Sequence, residues 1–356
     1  MAPAARQVDP LADARWDAYV RAHPAASVYH LGAWAAVLSR AYGFRPRYLA
    51  LEDGGTVRGV LPLMRKKGLV SDARLRSIPV FSYGGPLADA PAGEQALLEA
   101  ARGLARRERA RALSVNTGER RLEAPGYERE QILPRWVLEL PGDLEAMRAG
   151  WRKTRSNLFR SLKKADAAGL GFREGDSIRD LRSFHRLYVA TMRGHRSLPR
   201  TLRQLRLAWG HLGPHMKVFI VDHANRDVAA GVYHVFGDTV ELVYNGSDDG
   251  ALKLRPNHFL YWHVMRWAAQ RGLRRIDLGG AYADTPLAGF KEQWGAAPHA
   301  RFRLNHRAGG ESTRAESLAQ VGYGAEGSES RLVDLAWRTL PTPLLRAGAH
   351  VAYRWI

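Results

Sequence analysis

Leu254-Arg255-Pro256-Asn257 opens a stretch that continues as an apolar helical pattern to Gly272, then reads Arg275-Ile276-Asp277-Leu278-Gly279-Gly280. After a short loop comes Phe290-Lys291-Glu292-Gln293-Trp294-Gly295. Pro256 stands where a first helical turn tolerates a missing N–H, and Gly272 where a helix closes in a left-handed residue. Between them Leu260, Val264, Trp267 and Arg271 recur at helical spacing. Ile276 to Leu278 predicts a short buried strand ending in two glycines, where backbone approaches a ligand closely. Lys291 follows as a lone cation between aromatic residues. Helix, strand, double glycine and single ammonium make a corner suited to a carbonyl or a phosphate.

The pattern leading into this block occurs twice. Tyr48 to Leu63 reads as strand, Asp-Gly-Gly turn and strand, and Phe219 to Val235 repeats that hairpin. A helix and a buried strand follow each: Glu94 to Arg109 with Ala112 to Asn116, and Asn257 to Arg271 with Arg275 to Gly279. Two copies of one hairpin-helix-strand unit predict an α+β chain of two domains, each a mixed sheet flanked by helices. Pro141-Gly142 breaks the strand Trp136 to Leu140, and Asp143 can cap a helix from Leu144. The expected division is therefore 1–141, 142–308, a Gly/Ser/Ala/Glu-rich linker at 309–330 and an apolar, arginine-bearing segment at 331–356. That last segment either docks on the protein, the favoured reading, or lies on an anionic membrane.

Composition narrows the chemistry. The 356 residues contain no cysteine, which excludes disulfides, cysteine-ligated zinc and thiol nucleophiles. No signal-peptide core and no apolar run of about 20 residues is present, so a cytoplasmic protein is expected. The formal charge of +19 favours anionic partners, although arginine far outnumbers lysine and part of the surplus reflects general composition. Met147 to Lys164 concentrates Arg148, Arg152, Lys153, Arg155, Arg160, Lys163 and Lys164 with no carboxylate. Read as one helix, it is a phosphate-binding surface, which Arg193, Arg196, Arg200, Arg203 and Arg206 extend if they fold back beside it. The scattered histidines lack metal spacing, and no metal site is expected.

The order Pro-Asn, helix, Asp-Leu-Gly-Gly, Phe-Lys-x-x-Trp-Gly resembles the Fem-type aminoacyl transferases and their relatives with a BioF2-like acetyltransferase domain. Ser82-Tyr83-Gly84-Gly85-Pro86 and Trp151-Arg152-Lys153-Thr154-Arg155-Ser156-Asn157 resemble two further blocks of these proteins. The likeness runs from about Ser27 to Arg307 and implies two tandem GNAT-like domains of the acyl-CoA N-acyltransferase fold. It also implies Lys291 as the cation at the aminoacyl end of a bound tRNA, where a fixed ammonium supplies an oxyanion donor. Asp277 is the accompanying catalytic candidate, able to orient or deprotonate an amine. The implied substrate-binding residues are Tyr83, Gly84 and Gly85 in the first domain and Arg152, Lys153, Arg155 and Asn157 on the basic stretch. Tyr244, Asn257, Tyr261, Gly279, Phe290 and Trp294 complete them. Family members hold a nucleotide-sugar peptide with a lysine where this chain has Leu38.

No Arg/Gln-x-x-Gly-x-Gly/Ala turn for a coenzyme A pyrophosphate is found, nor a Gly-x-Ser-x-Gly elbow for an acyl-enzyme. The expected activity is acyl transfer without a bound cofactor, from aminoacyl-tRNA to an amine of a cell-envelope precursor or related small molecule. Two rivals are a coenzyme A-dependent N-acyltransferase acting on exopolysaccharide and a non-catalytic RNA- or membrane-binding relative. The membrane contact, if made, falls at the inner face of the inner membrane.

Overall fold

The computed structural model describes residues 4–66, 73–79, 81, 83–195 and 197–307. The linker at 309–330, the segment at 331–356 and Arg196 lie outside the described residues. In the first half, β1 (Ala4–Val8), α1 (Ala14–Ala22) and α2 (Ala33–Tyr42) precede β2 (Arg45–Pro46), β3 (Tyr48–Asp53) and β4 (Thr56–Leu61). Then come β5 (Leu63–Lys66), β6 (Arg74–Ser77), β7 (Leu87–Ala88), α3 (Pro91–Arg107), β8 (Ala112–Gly118) and β9 (Glu128–Glu139). The second half runs α4 (Leu144–Thr154), α5 (Ser156–Asp166), β10 (Gly171–Gly175), α6 (Ile178–Gly194), α7 (Leu202–Leu212) and β11 (Met216–His223). It continues with β12 (Arg226–Phe236), β13 (Thr239–Ser247), α8 (Pro256–Ala269), β14 (Arg275–Gly280), α9 (Pro286–Glu292) and β15 (Ala297–Arg307).

Local chemistry explains most boundaries. Asp143 caps α4 by accepting the Ala146 N–H at 2.9 Å. Pro256 occupies the first turn of α8, and Gly272 beyond its end takes φ 71°, as its position predicts. Two expectations need correction. The basic stretch is two helices: Arg155, at φ −141° and ψ 54°, ends α4 and starts α5. Arg148 is also not left without a carboxylate, because it pairs with Asp166 at the end of α5. β13 runs through Tyr244 to Ser247, and its Gly246 packs against the α6 backbone.

A four-stranded sheet is ordered β1-β3-β4-β7, and an eleven-stranded sheet is ordered β10-β11-β12-β13-β14-β9-β15-β8-β6-β5-β2. The larger sheet joins the two halves, because β15 inserts between β8 and β9 while β9 pairs with β14. Matching positions of the repeat carry the two parallel pairs, β6 with β8 and β13 with β14. Each pairing lasts three residues. In the second it ends at Glu241 opposite Asp277.

Alternation along β11 and β12 builds two cores. Val218, Ile220, Ala230 and Val232 face α6 and α7 and continue into Trp16, Trp34 and Leu38 of the first half. Phe219, Val221 and Ala229 face α4, α5 and α8. The arginines of α6 and α7 therefore lie across the sheet from α4 and α5 and do not extend that basic surface, contrary to expectation. Leu38 is fully buried in the shared core, a place where an ammonium would have to shed its water. No helix among the described residues is long and apolar enough to cross a membrane.

Candidate active site

Where β13 and β14 part, charged side chains from both halves meet. Asp277 accepts the Gly279 N–H at 2.8 Å, both oxygens receive Arg135 Nε at 2.9 and 3.0 Å, and Oδ2 also accepts the Tyr83 hydroxyl at 2.9 Å. Arg135, on β9, gives its Nη2 to Glu241 Oε1 at 2.5 Å. Tyr83 is clamped: its ring stacks on Tyr29 with centroids 5.3 Å apart and planes at 5°, and the Arg301 guanidinium sits 3.3 Å from its centroid. Tyr83, Asp277 and Glu241 of this cluster border a cavity of about 290 Å³ between the halves. Ser27, His30, Tyr83 and Gly85 line it from the first half, and His234, Glu241 and Asp277 from the second.

The two floor carboxyls differ. Burial alone would raise Asp277, but the Arg135 charge and the hydrogen bonds outweigh it and hold this carboxylate below its usual range. Burial pushes Glu241 up to about 7 against the opposing pull of Arg135. Asp277 is thus a fixed anion that orients its neighbours, and Glu241 is the carboxyl poised to exchange a proton near neutrality.

Lys291 lies against this floor. It is carried on α9, is only 2% exposed, and donates from Nζ to the Gly280 carbonyl at 2.7 Å. Burial, with a smaller push from Arg135, lowers it to about 7. Lys291 is thus a buried residue of a helix and not an exposed one. Gly279 is required by its backbone, at φ 88°, and not by crowding, since a Cβ there would stand in ordinary contact 3.7 Å from the Lys291 Nζ. Gly280 answers to packing, because a Cβ would fall 2.5 Å from the Leu133 side chain.

The remaining candidates separate into groups. Tyr261, Phe290 and Trp294 form an aromatic cluster beside Lys291, with Tyr261 and Trp294 stacked at 5.8 Å and Trp294 fully buried. Asn257 ties α8 to β13 by donating to Ser247 Oγ at 3.3 Å and accepting from Asn245 at 3.4 Å. Tyr244 is on the other face of β13, packed on Tyr188 of α6 at 5.4 Å, so it does not join Phe290 and Lys291 as expected. Arg152 and Lys153 are exposed on α4, and Asn157 accepts from Arg160. Arg155 reaches inward: its Nη1 donates to the Glu292 carbonyl at 2.8 Å, fixing the end of the helix that bears Lys291. Gly84 and Gly85 form a turn at the cavity wall, where Gly85 accepts from His30 Nε2 at 3.1 Å.

Arg135, Glu241, Arg301, Tyr29 and His234 were not anticipated. A trace of two of them exists in the sequence, since Glu241 interrupts Thr239-Val240-Leu242-Val243 and His234 interrupts Val232-Tyr233-Val235-Phe236. A lone charged or polar residue inside an apolar strand has to find a buried partner. Which partner it finds depends on strand order.

Residues 152–292 match the family model described as an acetyltransferase (GNAT) domain. No curated protein matches the sequence. Among solved structures, FemX is similar at TM-score 0.65 and 14% identity, over 85% of this chain and 97% of that one. The C-terminal DUF2156 domain of a putative lysylphosphatidylglycerol synthetase from Agrobacterium fabrum is similar at TM-score 0.56 and 15% identity, over 86% and 93%. L-PGS from Bacillus licheniformis is similar at 0.52 and 12%, over 86% and 95%. Residues 152–292 thus match an acetyltransferase (GNAT) domain, set in a chain of the two-domain GNAT fold that it shares with FemX.

Proposed function

We propose that the protein moves an aminoacyl group from aminoacyl-tRNA to a primary amine held in the cavity between its halves. The observation that carries this reading is the buried Lys291 ammonium at the open end of β14, one strand-end from the Asp277–Arg135–Glu241 floor. Attack by the neutral amine forms a C–N bond and makes the acyl carbon tetrahedral. An ammonium placed there stabilises the oxyanion. Collapse breaks the ester C–O bond, and the departing tRNA hydroxyl oxygen takes a proton. The exposed Arg152 and Lys153 on α4 supply phosphate contacts, and Arg155 joins that helix pair to α9. The name of one structural neighbour, a lysylphosphatidylglycerol synthetase, favours an aminoacyl donor and an acceptor of the cell envelope. The acetyltransferase family model favours acyl-CoA as the second donor to try.

The test is a competition between donors. Salt-sensitive retention of bulk aminoacyl-tRNA on filters, with amine-dependent release of its amino acid that Lys291→Ala abolishes, is the expected result. Stoichiometric acetyl-CoA binding by calorimetry without RNA binding would transfer the reading to the second donor.

A further inference from the structure

Three polar side chains stand in one row across the cavity face of the large sheet. His234 on β12 is the register partner of Glu241 on β13, and Glu241 is the partner of Asp277 on β14. All three line the cavity. Neighbouring strands lie about 4.8 Å apart, so a ligand over the row meets polar groups at roughly that spacing. Two of them are carboxyls, which suit the N–H groups of an amine. The acyl-transfer geometry leaves His234 without a part.

His234 is 3% exposed, and burial keeps its ring neutral by holding it down at about 3. A neutral imidazole has one N–H and one lone pair, and its neighbours decide which nitrogen carries which. Nδ1 lies 3.2 Å from the hydroxyl of Tyr29, a residue only 1% exposed. That hydroxyl makes no other hydrogen bond among the described residues. If it accepted from Nδ1, its own buried proton would be left without an acceptor. It therefore donates to Nδ1, and the ring proton sits on Nε2. Nε2 has no hydrogen-bond partner among the described residues, and the ring borders the cavity. Aromatic neighbours lock it there: Tyr29 and Trp34 meet the ring edge to face at 5.5 and 5.7 Å, and Phe81 stands 6.3 Å away. Tyr29 is itself fixed by its stack on Tyr83. A histidine that only filled the core would have both nitrogens satisfied.

We infer that His234 is a specificity residue for the acceptor, its Nε2–H donating to an oxygen that the acceptor carries beside the reacting amine. This rests on the amine-acceptor reading above. With the nitrogen over the carboxyls of β13 and β14, an oxygen on the neighbouring carbon falls over β12, one strand along the row. The substrate class is an amine with a carbonyl or hydroxyl oxygen on the adjacent carbon, as in an amino acid amide or an amino alcohol. A neutral donor suits a neutral oxygen. Tyr29 is the positioning residue, because it acts only by holding the imidazole proton on Nε2.

The test uses the full chain, bulk aminoacyl-tRNA or acetyl-CoA as donor, and three probe amines: glycinamide, ethanolamine and propylamine, the last lacking the oxygen. His234→Phe keeps a planar ring and removes the donor. It is expected to lower kcat/KM for glycinamide, ethanolamine or both by about 10- to 100-fold, the size of a buried hydrogen bond left unmade. Propylamine should stay within a few-fold, so that the difference between probes isolates the contact. A loss confined to glycinamide assigns a carbonyl, and one confined to ethanolamine a hydroxyl. Tyr29→Phe should give a smaller loss on the same probes, because the ring proton is then free to move to Nδ1. Equal losses for all three amines, or none, would overturn the inference. Nitrogen NMR of histidine-labelled protein, with His234 assigned from its variant, needs no turnover. Nε2 should carry the proton, and its signal should shift with glycinamide or ethanolamine and not with propylamine. A proton on Nδ1, or a signal unmoved by all three, refutes the assignment. If no amine is acylated while the Nε2 signal shifts, the acyl-transfer reading fails and the oxygen-binding site stands.

Discussion

The Tyr83 hydroxyl donates to Asp277 Oδ2 at 2.9 Å across 194 residues of sequence, joining a turn of the first half to β14 of the second. The same ring lies between Tyr29 and the Arg301 guanidinium. One residue therefore reports on whether the halves are correctly docked. Tyr83→Phe keeps both stacking partners and removes the bond to an ionised, buried acceptor. The expected cost is about 1.5–3 kcal/mol, the range for hydrogen bonds to charged groups. Urea unfolding of the full chain measures it, and a variant as stable as the wild type would show that the bond contributes nothing to docking.

Lys291 gives a stability signature with a definite sign. In the unfolded chain it holds its proton up to the ordinary value of 10.5, and in the native protein only to about 7. Between those values the unfolded state binds more protons, so stability rises with pH through that window. Below about 7 the cost of the buried ammonium is fully present, on the order of a few kcal/mol. The wild type should therefore gain stability relative to Lys291→Met between about pH 7 and about pH 10. Acyl transfer in the same variant should fall by about 2–4 kcal/mol in transition-state stabilisation, the size of one oxyanion donor. Parallel stability curves for the two proteins would mean that burial does not weaken the lysine's hold on its proton.

What the sequence revealed and what it concealed divides along covalent distance. Pro256, Gly272 and Asp143 announce helix ends because a cap acts within a few residues of itself. The duplicated hairpin-helix-strand unit was readable for the same reason, as each copy is a local pattern. The insertion of β15 between β8 and β9 left no local trace, because strand order is set by packing among segments far apart in sequence. The site suffered most from this. Lys291 stood out beside Gly279 and Gly280, but the positive charge that presses on it comes from Arg135, more than a hundred positions away in the chain. The basic stretch read as one helix, whereas the backbone at Arg155 breaks it and turns that guanidinium toward Glu292.

Gly85 is demanded by contact and not by conformation. A Cβ there would stand 2.6 Å from the Asn116 carbonyl oxygen and 3.0 Å from Thr117 Cα, both backbone atoms that can move only with β8. Gly85→Ala should cost about 1–3 kcal/mol, as overpacking does. It should also disturb the cavity wall, since the Gly85 carbonyl accepts from His30. Gly142→Ala is the control, because nothing lies within 4 Å of its Cβ position. Equal melting temperatures for the two variants would contradict the packing argument.

The basic helices allow charge to be separated from architecture. Arg152 and Lys153 are exposed on α4, whereas Arg155 bonds the Glu292 carbonyl and supports α9. Arg152→Glu with Lys153→Glu, leaving Arg155 intact, should therefore keep the melting temperature within about a degree while weakening tRNA retention, as surface substitutions away from special contacts do. Each lost phosphate contact should reduce the slope of log affinity against log salt by about 0.7–0.9. Arg155→Ala should behave differently, loosening the Lys291 helix and lowering turnover more than it lowers tRNA affinity. Filter binding over a salt series, read beside single-turnover rates, distinguishes the two. If the double charge reversal leaves both the affinity and its salt slope unchanged, the donor's phosphates do not lie on α4.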